Sequence, residues 1–202
     1  FLMRTILYFH SKSAIKPPGK GANEIIDSSN SLLFAPLMER DPNWRKVLSN
    51  FYEGDFVYSG SCYKTAEHAF QAAKISIVSQ EKAQEFTKES GSALGLGDGN
   101  IARKHRKLIL LNEDQLLEWN KRKNRVMKEI LFSKFSQVDH AKQILLATRD
   151  AELWHGTRGL AKSRQYLLEE VRAELQRSQP LTSRSDIEQD NLPKTKRPRL
   201  SS

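Results

Sequence analysis

The sequence predicts an α+β fold that is mainly helical, with one domain over residues 1–177, a small β element inside it and a disordered tail over residues 178–202. Three observations point there. Apolar residues recur at three- and four-residue spacing along several stretches, the mark of helices that bury one face. Only short runs combine β-branched and aromatic residues as strands do. From Ser178 the periodicity stops, and Ser, Asp, Gln and Pro dominate as far as Lys194, a composition that cannot bury enough apolar surface to offset its chain entropy.

Taken in order, Thr5 to His10 (TILYFH) reads as a buried strand, and the chain then turns abruptly at Pro17-Pro18-Gly19-Lys20-Gly21. Two prolines stiffen that loop while Gly19 and Gly21 permit close backbone approach. Residues 25–45 carry little signal. Phe56, Val57 and Tyr58 are separated from Cys62 and Tyr63 by the small-residue turn Ser59-Gly60-Ser61, which predicts a hairpin. A helix follows at once, with Thr65 as N-cap and Glu67 in the first turn, where the helix dipole favours negative charge. Ala66, Phe70, Ala73 and Ile77 are its expected core face, and Glu67, Gln71 and Lys74 its opposite stripe. Ser79 to Ser90 reads as a polar helix, and Gly91 to Asn100 as a glycine-rich loop whose spacing matches no nucleotide fingerprint. Asn112-Glu113-Asp114 should cap a helix to about Ser133, with Leu116, Trp119, Val126, Ile130 and Leu131 as its apolar stripe. Asp139 to Thr148 is another helix. Thr148 to Gly159 is expected to be a short loop before a last helix, Ser163 to Arg177, that turns Leu168, Val171 and Leu175 inward.

With 202 residues, 38% hydrophobic and 28% charged, the chain can bury one core. The single cysteine, Cys62, excludes an intramolecular disulfide and any CxxC metal site. No apolar run nears the roughly 18 residues of a membrane span and no signal peptide is legible, so the expectation is an intracellular monomer with no membrane partner. The net charge of +9 favours polyanionic partners, nucleic acid or phosphorylated ligands. Lys194 to Arg199 is a compact basic cluster of the kind nuclear import receptors read.

Candidate site residues crowd two places. In the early loop, Lys20 between two glycines could meet a phosphate or carbonyl, and Gly21, Asn23 and Glu24 are close enough to join it. This is not a Walker loop, since the glycine spacing and the Lys-Ser/Thr pair are missing. In the segment Leu48 to Lys74, Asn50 could bond a loop backbone or the polar edge of a base, Phe51 could stack on a base or sit in the core, and His68 is a further binding candidate. Glu67, Gln71 and Lys74 project acid, amide and amine from one face. The basic clusters Arg103 to Lys107 and Lys121 to Arg125 flank these elements and suggest an electropositive rim for a phosphate-bearing ligand.

LSNFY, then YKTAEHAFQAAK, then Trp119 ahead of Val126-Met127, then Lys134-Phe135 and LLAT at Leu145 to Thr148 resemble the YbiA-like NADAR domain family over roughly Leu7 to Leu175. The resemblance implies hydrolysis of N-glycosidic bonds in ribosylated or ADP-ribosylated compounds. It implies Glu67, Lys20 and Lys74 as catalytic groups and Trp119 as a platform for the substrate's ring. Members acting on ADP-ribosylated guanine carry a similar proline-glycine-lysine segment, whereas riboflavin-pathway members have a longer late loop with a tryptophan-glycine-acid-glycine run that is missing between Trp154 and Arg164. His155, Thr157 and Arg158 stand there instead and suit a pyrophosphate, so the implied substrate is an ADP-ribosylated nucleobase, the alternatives being cleavage of ribosylaminopyrimidine phosphates or binding of ADP-ribose or nucleic acid without turnover. Such cleavage needs a protonated leaving base, a stabilised sugar cation and a delivered water; a lysine could instead trap the opened sugar as a Schiff base. Neither route calls for a metal or a cofactor.

Overall fold

The computed structural model describes residues 4–156 and 161–178. A three-stranded sheet sets one end of the molecule. Strand β1 (Ile6–Phe9) pairs in parallel with β4 (Glu152–His155), and β4 pairs antiparallel with the short β5 (Ser163–Arg164). The register sets Leu7 opposite Leu153 and Phe9 opposite His155, so both strands end at the same edge. The predicted hairpin is present as β2 (Phe56–Tyr58) and β3 (Ser61–Tyr63), and Ser59 and Gly60 both take positive φ, at 49° and 82°, as a two-residue hairpin turn requires.

Helices supply the rest. Among the described residues they are α1 (Ala35–Arg40), α2 (Trp44–Val47), α3 (Ala66–Ile75), α4 (Gln80–Gln84), α5 (Gly99–Lys104), α6 (Glu113–Gln137), α7 (Asp139–Ala147) and α8 (Tyr166–Arg177). The longest, α6, starts on a capping box in which Asn112 and Gln115 satisfy each other's backbone N–H groups. It packs against α3, α7, α8 and β2, and its Val126, Ile130, Leu131 and Phe135 join Trp44, Phe34, Leu37 and Phe86 in a single core. As predicted, Leu168, Val171 and Leu175 of α8 are buried.

Four expectations change. The core face of α3 keeps Ala66 as expected but otherwise consists of Ala69, Ala72 and Ile75 with His68 and Gln71, whereas Phe70, Ala73 and Ile77 sit at its margin, because α6 and the hairpin cover α3 from the side. The polar stretch 79–90 is only a short α4 plus one 3₁₀ turn (Lys88–Ser90). Leu116 lies at the exposed start of α6, 45% accessible. The loop expected over 148–159 contains β4, and α8 begins three residues later than expected, after β5. Thr157, Arg158, the proposed tail and its Lys194 to Arg199 cluster lie outside the described residues. Among the described residues no helix is long and apolar enough to cross a membrane.

Candidate active site

Glu67 stands on the first turn of α3, and three contacts fix that turn. The Thr65 hydroxyl accepts from the His68 N–H at 3.3 Å, the Glu67 N–H donates to the Asn50 carbonyl at 3.1 Å, and the Gln71 amide donates to Glu67 Oε1 at 2.9 Å. Asn50 therefore serves through its backbone, while its side-chain amide points at Met127 Sδ, 3.9 Å away. The segment carrying Asn50 is held from beneath by Lys134, whose buried Nζ donates to the Ser49 carbonyl at 3.0 Å and whose pKa burial pulls down to about 7. Phe51 lies over Gly99, where a Cβ would come within 2.7 Å of its ring; only glycine lets α5 approach this closely.

That approach brings Arg103, in the last turn of α5, and Arg106, just past its end, near enough for their charges to act on the carboxylate. Burial pushes the Glu67 carboxyl above the usual carboxylate range, while the Gln71 hydrogen bond and the charges of Arg103 and Arg106 act the other way. Gln71 is itself buried, and its Oε1 has no donor among the described residues. A buried, unpaired acceptor beside a desolvated carboxylate is positioned to take an N–H or O–H from a ligand.

The same Arg103 reaches the sheet. His155, at the end of β4, stands edge-on to Phe9 with ring centroids 5.8 Å apart, and its pKa is lowered by burial, by His10 and by Arg103. Beside it, at the carboxyl ends of the parallel strands β1 and β4, a cavity of about 450 Å³ is lined by Tyr8, His10, Lys16, Asn23, Gly156 and Lys162, with Gly21 and Glu24 in its wall. Crevices at the carboxyl ends of parallel strands are where open α/β sheets bind ligands.

Glu24 builds this wall rather than meeting ligand. Its side chain is wholly buried, and its oxygens accept from Arg45 Nε at 2.8 Å, Arg45 NH2 at 2.7 Å, the Tyr8 N–H at 3.2 Å and the Gly19 and Gly21 N–H groups at 2.9 Å each. A Cβ on Gly21 would come within 2.5 Å of that carboxylate, so Gly21 also serves the wall. Lys20 faces solvent away from the cavity. Lys74 donates to the Arg106 carbonyl at 3.1 Å, and burial, Arg106 and Lys107 lower its pKa. Two binding candidates are core residues. His68 is fully buried between Thr65 Oγ1 (2.8 Å) and the Leu94 carbonyl (3.0 Å), and Trp119 is 4% exposed with its ring 5.0 Å from Phe70. The glycine-rich loop is packing too: a Cβ on Gly95 would lie 2.0 Å from the Thr87 carbonyl.

The structure thus brings Glu67, Gln71, Asn50 and Phe51 together, leaves His155 linked to them only through the charge of Arg103, and groups Gly21, Asn23 and Glu24 in the wall beside His155. Sequence reasoning missed Arg45 and Lys134, and the one signal for either was a cation placed inside an otherwise apolar stripe. Among the described residues no group of three His, Cys, Asp or Glu could hold a metal. The NADAR domain family matches residues 38–158. No curated protein sequence matches the chain. The NMR structure of the Escherichia coli protein YbiA is similar in fold, with a TM-score of 0.52 over 95% of this chain and 91% of that one at 19% identity.

Proposed function

The chain belongs to the NADAR domain family, and from that premise we propose that it is an N-glycosidase, cleaving the bond between ADP-ribose and a guanine base carried by nucleic acid or a nucleotide. The observation that carries the reading is the desolvated Glu67–Gln71 pair, on which the charges of Arg103 and Arg106 act. The carboxylate balances the cation that grows at the anomeric carbon or steers water onto it, and Gln71 fixes which oxygen points there. Two guanidiniums beside it suit the pyrophosphate of ADP-ribose, which one phosphate of a ribosylaminopyrimidine would not need. For the Schiff-base route Lys74 is the better amine, because its pKa is lowered where Lys20 is solvated.

Side-by-side kinetics on ADP-ribosylated DNA and on ribosylaminopyrimidine phosphates test the assignment. Faster turnover of the first is expected. Preference for the second, or binding without turnover of either, would overturn it.

A further inference from the structure

A second cleft, of about 220 Å³, opens between the β2–β3 hairpin, α3, α4 and α6. At 3.6 residues per turn its wall residue Ser76 stands half a turn round from Glu67, so the two sites share α3 without sharing a face. Arg122 of α6 is the one charged side chain in the lining; around it stand Tyr58, Tyr63, Ser76, Gln80 and Gln84. Arg122 is half-buried, and its Nε is shut off from water with no acceptor. Among the described residues it makes no hydrogen bond and no ion pair, although its neighbours on the same helix do: Lys121 lies 3.7 Å from Glu118, and Arg125 lies 3.7 Å from Glu129. Its recorded contact is the Trp119 ring, whose centroid is 6.0 Å from the guanidinium carbon.

A guanidinium whose Nε is closed off from water without an acceptor carries a desolvation cost that a bound anion would relieve. We propose that this cleft is a second ligand site, taking a small phosphate group, free or as a monoester, on Arg122. The guanidinium fork matches two oxygens of a tetrahedral oxyanion. The amides of Gln80 and Gln84, neither hydrogen-bonded among the described residues, line the same cleft and can donate to a third oxygen, which a planar carboxylate does not have. The adjoining hollow past Ser61 is lined by Glu81, Glu85 and Glu89, and their charge confines an anion to the Arg122 end.

The test is a titration of the intact chain with inorganic phosphate at constant ionic strength, following the arginine Nε–H signals in ¹H–¹⁵N spectra. The Arg122 signal is assigned by its loss in Arg122→Gln, and in Arg122→Lys, a charge-keeping variant, the Gln80 and Gln84 side-chain amide signals should report a phosphate affinity that has fallen but not vanished. A saturable shift of the Arg122 signal, with acetate producing little at equal concentration, is expected. An Arg122 signal that stays still while those of Arg103 or Arg106 move would overturn the proposal, as would a shift that never saturates or one that acetate reproduces. Because binding is the readout, failure of the glycosidase reading would leave this result untouched.

Discussion

Glu67 has two jobs that can be separated. As a first-turn acid it interacts with the α3 dipole, worth only ~0.3 to 1 kcal/mol. As a desolvated carboxylate held by Gln71 it is a candidate for the chemistry. Glu67→Gln should leave thermal stability and ligand affinity near wild type and lower the single-turnover rate roughly 100-fold or more, the scale of a lost acid–base group. Near-normal turnover in that folded variant would remove Glu67 from the mechanism. Because the carboxylate form is the useful one and burial raises its pKa, the acid limb of the wild-type rate profile should lie above the ordinary carboxylate range and vanish with the substitution. Lys134 shows that perturbation alone does not make a site: burial pulls its amine down to about 7, yet it is sealed in the core against the Ser49 carbonyl.

At the scale of elements, the Pro17–Gly21 loop is held by one buried ion pair. Removing a single partner leaves the other as an unpaired buried charge, so Glu24→Gln should cost roughly 3–5 kcal/mol in a urea titration and speed hydrogen exchange at the Gly19 and Gly21 amides. A loss near zero would show that backbone turns, not Glu24, hold the loop. None of this was legible beforehand, since an acid in a polar loop reads as solvated and its partner Arg45 is distant in sequence. Local signals fared better. Thr65, the Ser59-Gly60 turn and the Asn112 cap are choices made within a few residues, and the hairpin, α3 and α6 appear where they predict. Strand β4 was missed because four residues, Glu152–His155, carry too little pattern and owe their strand form to pairing with β1. Trp119 lies in the buried stripe where its spacing put it, and only the resemblance gave it a ligand role; His68 is buried because its ring is held between Thr65 and Leu94, contacts that spacing does not show.

Over the whole molecule, ion pairing is uneven. Glu152 pairs with Arg4 and Arg164, Glu169 with Arg164, and Glu170 and Glu174 with Lys128, whereas Lys16, Lys20, Arg103, Lys104, Arg106 and Lys107 form no ion pair among the described residues. Of these, Lys16 lines the cavity at the strand ends, and the charges of Arg103 and Arg106 act on Glu67. For an ADP-ribosylated DNA substrate, KM should therefore rise about tenfold or more between 50 and 200 mM salt, the loss from about two phosphate contacts, with kcat nearly unchanged. A salt-independent KM would mean that the rim does not touch the backbone. The parallel pairing of β1 with β4 has a consequence in time as well as in space. Leu7 and Phe9 meet Leu153 and His155 only after nearly all of the domain has been made, a high-contact-order closure that local helices need not wait for. The helices carrying Glu67 and Arg103 can form early, whereas the cavity at the strand ends belongs to the last folding step, so ligand-binding competence arrives with the finished domain and not before it.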